Sequence, residues 1–293
     1  MSTGGWAADL LALLAEEAAT PAPPEVLALA EAARAEVGES AVAVLFYGSA
    51  LRERDAAGKL VDLYVVTDGY DRLHAGWLLR LLIRLLPPNV HYIETEAGGG
   101  TVRAKYAVVA LDHLLRLVGR GTDNPYFWAR FAQPVAIAWV RDEATRQALV
   151  DGFAQAADTL LANRDGGTPR ERWTSIFAET YRTELRAEPP SRGIAIYEAA
   201  ADRYDRIAAA LAGRPVRPAG SWTWRRRRVI GKLLSVLRLA KAAFTFTGGA
   251  DYIAWKVERH SGVRVELTPW QRRHPLLAGL SLFWTLRRRG GFR

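Results

Sequence analysis

The chain of 293 residues contains no cysteine. That excludes a disulfide framework and any zinc or iron–sulfur centre held by thiolates. Long apolar runs are missing too. The longest, Leu276–Leu286, has 11 residues, where a membrane-spanning helix needs about 20. The first residues carry no basic start, and Asp9 falls where a signal peptide would have its apolar stretch. These absences point to an intracellular protein without a spanning helix. Internal repeats and low-complexity tracts are absent, as are zinc-finger spacing and the aromatic signature of an RNA-recognition motif. Acids are scarce at one end: from Arg214 to Arg293 there are 18 Lys/Arg against three acids, a surplus of +15. The remaining 22 basic and 28 acidic residues leave −6 on residues 1–213.

What is present supports a folded chain. Hydrophobic residues make up 49%, enough to build a core and to argue against extensive disorder. Ten Trp and a net charge of +9 suggest a polyanionic partner: nucleic acid, an anionic membrane or a phosphorylated substrate. High Ala and Arg usage is compatible with a bacterial source.

Residues 7–18 and 25–37 read as two helices separated by Pro21, Pro23 and Pro24. Ala41–Tyr47 and Leu60–Thr67 read as strands, and His74–Leu86 as a helix stopped by Pro87-Pro88. Val90–Glu94 and Val102–Ala110 are strands flanking a Gly98–Gly100 loop, Leu111–Val118 a short helix and Val135–Val140 a last strand. The strand signal then fades. Asp142 can cap a helix to about Asn163, and Thr168-Pro169 has the N-cap and first-turn chemistry of the next. Pro189-Pro190 ends that helix. Arg192–Ala212 reads as one more, and basic helices follow at Trp222–Phe246 and Tyr252–His260. The expected fold class is α+β: a mixed sheet with helices over residues 1–141, a helical domain over 142–213, and a basic Trp/Arg-rich helical region over 214–293.

The chemistry concentrates in Phe46-Tyr47-Gly48-Ser49, followed by the strand Leu60-Val61-Asp62-Leu63-Tyr64. A strand running into Gly-Ser, with an acid on the next strand, is the layout of the nucleotidyltransferase superfamily. Gly48 lets backbone approach a triphosphate, and Ser49 can donate to phosphate oxygens. Asp62 inside an apolar strand needs a partner or a metal, and Mg²⁺ is the metal that suits phosphates. Two acids with one residue between them is the usual superfamily pattern, but Leu60 and Tyr64 hold both partner positions. Either Asp68, Glu94 or Glu96 supplies a second ligand, or the metal site is degraded.

Further residues follow in order: Asp68, His74, His91-Tyr92, Gly98–Gly100, Lys105-Tyr106-Ala107-Val108, Asn124, Tyr126, Arg130, Pro134-Val135 and Tyr181…Leu185-Arg186. Together with Tyr47-Gly48-Ser49 and Asp62 they resemble the soluble, mitochondrial-type phosphatidate cytidylyltransferases, the CDP-diacylglycerol synthases of the translocator-assembly-and-maintenance family. The colinear stretch covers roughly residues 44–205. Leu73 stands where the family has Trp, Gln133 where it has Lys, and only Glu184 stands for the acid before Arg186.

The resemblance implies transfer of a cytidylyl group from CTP to phosphatidate, with release of pyrophosphate and with Mg²⁺ as cofactor. Tyr47, Gly48 and Ser49 would seat the nucleotide, and Asp62 would hold the metal. Lys105 would be catalytic by stabilising phosphate charge, or else an edge lysine reaching solvent. Arg130 and His74 would place the lipid phosphate, although His74 also suits a helix start. Asn124 and Tyr126 at the nucleotide, and Arg186 at the phosphate, rest on the resemblance alone.

The basic region pairs Trp222 and Trp224 with Arg225, Arg226, Arg227 and Arg228. Arg and Trp flanking apolar stretches suit a peripheral protein on the cytoplasmic side of an anionic membrane. Four Arg beside two Trp also suit nucleic acid, and a solvated basic face is the plainer alternative. A protein of the same fold that has lost catalysis and only binds membrane or nucleic acid remains the rival to an enzyme, as does transfer to another phosphorylated acceptor.

Overall fold

A computed structural model describes residues 5–53, 59–73, 77–184, 191–245 and 268–270. The architecture is α+β, with one mixed five-stranded sheet and helices on both faces. The strands are β1 (Ala41–Tyr47), β2 (Leu60–Thr67), β3 (Asn89–Ala97), β4 (Gly100–Ala110) and β5 (Val135–Val140). Their order is β3-β4-β2-β1-β5; only the β2–β4 pair is parallel.

Alternation along each strand divides the sheet into two faces. Val61, Leu63 and Val65 point to the face covered by α2 (Pro24–Val37), where they meet Val26, Leu29 and Ala33. Tyr64 and Leu45 point to the other face, toward α1 (Ala8–Ala18), α6 (Pro125–Phe131) and α7 (Glu143–Ala162). On that side one buried cluster takes in Leu14, Leu45, Phe131, Phe153, Phe177, Tyr204 and Trp224. The sheet, the helices after residue 142 and the start of the basic region therefore share one core.

The remaining helices are α3 (Ser49–Glu53), α4 (Trp77–Leu85), α5 (Leu111–Leu117), α8 (Pro169–Tyr181), α9 (Arg192–Glu198), α10 (Ala201–Ala210) and α11 (Ser221–Thr245). Local chemistry sets several starts. The Asp142 carboxylate accepts from the Thr145 amide at 2.7 Å. Thr168 and Glu171 form a reciprocal capping box in front of Pro169.

Two expectations change. Gly98 and Gly99 both take positive φ, which closes a tight two-residue hairpin, so β3 and β4 pair up to Ala97–Gly100. The single helix expected over 192–212 is two. Gly193 of α9 lies against the backbone of α8 while α10 packs on α1, and the chain turns at Ala199-Ala200 between them. Tyr252–His260 and the 276–286 stretch lie outside the described residues. Among the described residues no helix is long and apolar enough to cross a membrane.

Candidate active site

Register brings one polar row across the second face. Tyr47 on β1 pairs with Asp62 on β2, Asp62 with Lys105 on β4, and Lys105 with Tyr92 on β3. The Lys105 ammonium lies 3.4 Å from Asp62 Oδ1, with both side chains about one-third exposed (38% and 30%). On the other side of the carboxylate sits Gly48, with φ +89°. That φ strains any other residue, and a Cβ there would stand 3.0 Å from Asp62 Oδ2 and press on the carboxylate. Ser49 is exposed and opens α3. Burial first, and then the Asp62 charge, push the Tyr47 phenol well above its ordinary pKa, so it stays neutral.

None of the three acids considered as a second ligand joins Asp62. Asp68 follows the far end of β2, about 20 Å away at roughly 3.3 Å per residue, and pairs with Arg141. Glu94 is held by Arg103 at 3.2 Å and by the Tyr92 hydroxyl, and Glu96 accepts from Thr101 at 2.7 Å. The next position on Asp62's face is Tyr64, fully buried against Tyr47 and Phe131 with ring centroids at 5.1 and 5.0 Å. Magnesium takes oxygen ligands, commonly one or two carboxylates plus substrate phosphates. Asp62, about one-third exposed, could offer a single carboxylate oxygen to an ion that brought its other ligands with it. Among the described residues no group of three His, Asp or Glu could hold a metal by itself.

A second cluster borders this row. Arg130 on α6 makes a bidentate pair with Glu184, at 2.8 and 3.1 Å, and lies 3.6 Å over the Tyr126 ring. Its charge is thus already matched within the protein. The Asn124 side chain caps α6, accepting from the Tyr126 amide at 3.3 Å. Gln133, in place of the expected Lys, donates to the Ala129 carbonyl and to the Tyr181 hydroxyl. His91 points to the opposite face, stacked on Tyr106 at 5.1 Å. His74 and Arg186 lie outside the described residues.

Arg238 of α11 also borders this cluster. Its guanidinium sits 4.4 Å from the Tyr126 ring, and its Nε donates to the Pro87 carbonyl at 2.8 Å. Nothing local marks Arg238 among the other cations of that region; only the docking of α11 near β3 and α6 brings it here.

The basic run is not one surface. Trp224 and Arg227 are buried, at 6% and 7% exposure. Arg227 lies between the Trp128 and Trp224 rings and donates to Asn163 at 2.8 Å. Burial is the physical reason that neither side chain can contact a membrane in this fold. Arg226 pairs with Asp123, and Arg228 with Glu179 at 3.1 Å. Trp222 and Arg225 stay exposed, Trp222 at 70%.

No protein-family model matches the chain, and no curated protein matches it. A solved structure of a nucleotidyltransferase-like protein from Exiguobacterium sibiricum aligns over 91% of each chain at 12% identity with a TM-score of 0.27. So loose a similarity carries no argument about the site.

Proposed function

We propose that the chain is a nucleotidyltransferase that moves a cytidylyl group from CTP to phosphatidate at an anionic membrane surface, releasing pyrophosphate. The observation that carries this reading is the Asp62 carboxylate set between the side-chain-free Gly48 and the Lys105 ammonium. The order of motifs around it favours the phosphatidate cytidylyltransferases over other members of the superfamily.

A phosphate monoester dianion is already a nucleophile, so the reaction needs no strong general base. An oxygen of the lipid phosphate bonds to the α-phosphorus of CTP. The bond from that phosphorus to the bridging oxygen breaks, and pyrophosphate leaves with the electron pair. Alignment and charge neutralisation then carry the rate. Gly48 and Ser49 seat the triphosphate, Lys105 stabilises charge on the transferring phosphate, and Asp62 would hold Mg²⁺. Bound there, the ion would offset charge on the transferred and leaving phosphates.

Access to a lipid substrate is supported by apolar side chains left on two helices. On α11 Trp222, Val229, Leu233, Val236 and Leu237 are exposed at helical spacing, with Arg225 and Lys232 beside them. On α4 Trp77, Leu81 and Leu85 are exposed beside Arg84. Apolar side chains bordered by cations suit the interface of an anionic bilayer.

Tyr64 in the place of a second acid favours one rival, a protein of this fold that binds but does not catalyse. Asp62→Asn separates the two. Product formation from CTP, Mg²⁺ and phosphatidate vesicles should fall by about 100-fold or more, with vesicle binding unchanged. An Asp62→Asn protein as active as the wild type would sink the assignment.

A further inference from the structure

The cluster around Tyr126 holds a positive charge that the described residues do not balance. Arg130 and Arg238 both lie over the Tyr126 ring, at 3.6 and 4.4 Å. Glu184 is bidentate to Arg130. Arg238 makes a single hydrogen bond among the described residues, from Nε to the Pro87 carbonyl, which leaves both terminal nitrogens of its fork for another acceptor. Burial pulls its pKa below the ordinary arginine value; the Arg130 charge adds to this, while Tyr126, Tyr64 and the Glu184 carboxylate oppose it. A half-buried guanidinium that has no bidentate carboxylate and lies next to a second guanidinium is a favourable place for an anion to join.

The location gives that anion an identity. Tyr126 lies against Phe127 and close to Tyr64, two positions along β2 from Asp62 and about 7 Å by strand rise. Planar guanidinium forks match phosphate oxygens two at a time.

We propose that Arg238 is a phosphate-binding residue of this site, so that α11 supplies a side chain to the substrate as well as packing on the sheet. The ligand chemistry is a phosphate oxyanion, carried either by the nucleotide triphosphate or by the phosphorylated acceptor. Only the naming of those two substrates rests on the function proposed above.

The test uses the full chain with inorganic pyrophosphate as the probe. Wild-type protein should gain melting temperature as pyrophosphate is added, Arg238→Gln should gain little, and Arg238→Lys, which keeps the charge without the fork, should fall between. Without pyrophosphate Arg238→Gln should melt no lower than the wild type, because it removes an unmatched charge. A melting temperature already lowered without pyrophosphate, together with an intact pyrophosphate shift, would make Arg238 merely structural and overturn the proposal. Absence of any shift in the wild type would overturn it as well.

A kinetic arm names the source. Loss of charge-assisted hydrogen bonds should raise the apparent KM about ten- to a hundredfold for CTP if the triphosphate is bound, or for phosphatidate if the acceptor is. Unchanged KM values for both substrates would overturn the proposal. A wild type that transfers nothing but still shows the Arg238-dependent shift would keep this site and remove the function proposed above.

Discussion

Gly48 and Asp62 constrain each other. The glycine takes a φ that side chains avoid, and the space its Cβ would fill belongs to the Asp62 carboxylate. Gly48→Ala should therefore cost about 1–3 kcal/mol of stability and push the carboxylate from its position. Urea unfolding checks the first effect and product formation the second; a variant with wild-type stability and activity would contradict the geometry. Lys241 on α11 offers a test by pH. Its ammonium is buried and donates to the Leu86 and Pro88 carbonyls. Burial, with the Arg238 charge adding to it, lowers its pKa from 10.5 to about 8. Between about pH 8 and 10.5 the unfolded chain then binds more protons than the folded one, so stability from this group rises with pH across that window. Below the window both states are protonated and the penalty stands in full. Relative to Lys241→Gln, the wild type should gain unfolding free energy from pH 7.5 to 9.5, and parallel pH profiles would contradict the assignment.

At the scale of elements, α11 is the surprise. Trp224 and Arg227 enter the core, and Gly231 crosses so close to α8's end that a Cβ would stand 2.5 Å from the Thr183 carbonyl oxygen. Trp224→Ala should cost about 3–5 kcal/mol, whereas Trp222→Ala should leave stability unchanged and weaken binding to phosphatidate-containing vesicles. Equal effects of the two substitutions on stability would contradict the division of this helix into a buried and an exposed side. The helix itself was legible from its composition, since Ser221–Thr245 matches the expected 222–246 within a residue at each end. Its facing was not, because burial depends on acids far along the chain, Asp123 and Glu179. The same holds for the site. A strand into Gly48-Ser49 and an acid on the next strand were readable from residue types. The pairing of Asp62 with Lys105 needed the parallel register of β2 and β4, strands separated by α4 and β3. Arg130 was readable as a cation near the site, but its capture by Glu184 was not.

For the whole molecule, the surplus of +15 beyond residue 213 is not all surface charge. Part of it is internal: Arg214 pairs with Asp158 at 2.9 Å, Arg226 and Arg227 with Asp123, and Arg228 with Glu179. The acidic body and the basic region are held together by their opposite charge as well as by a shared core. Arg225, Lys232 and the apolar side chains around them remain on the surface, where they suit an anionic bilayer. Transfer of CMP to a lipid phosphate is the central claim, and the fate of label tests it most directly. Purified protein is incubated with phosphatidate vesicles, Mg²⁺ and CTP labelled at either the α- or the γ-phosphorus, and the lipid is extracted. The α-label should enter the lipid phase while the γ-label leaves as pyrophosphate in equal amount. Vesicles that bind the protein yet take up no α-label, under conditions where a control synthase labels them, would contradict it.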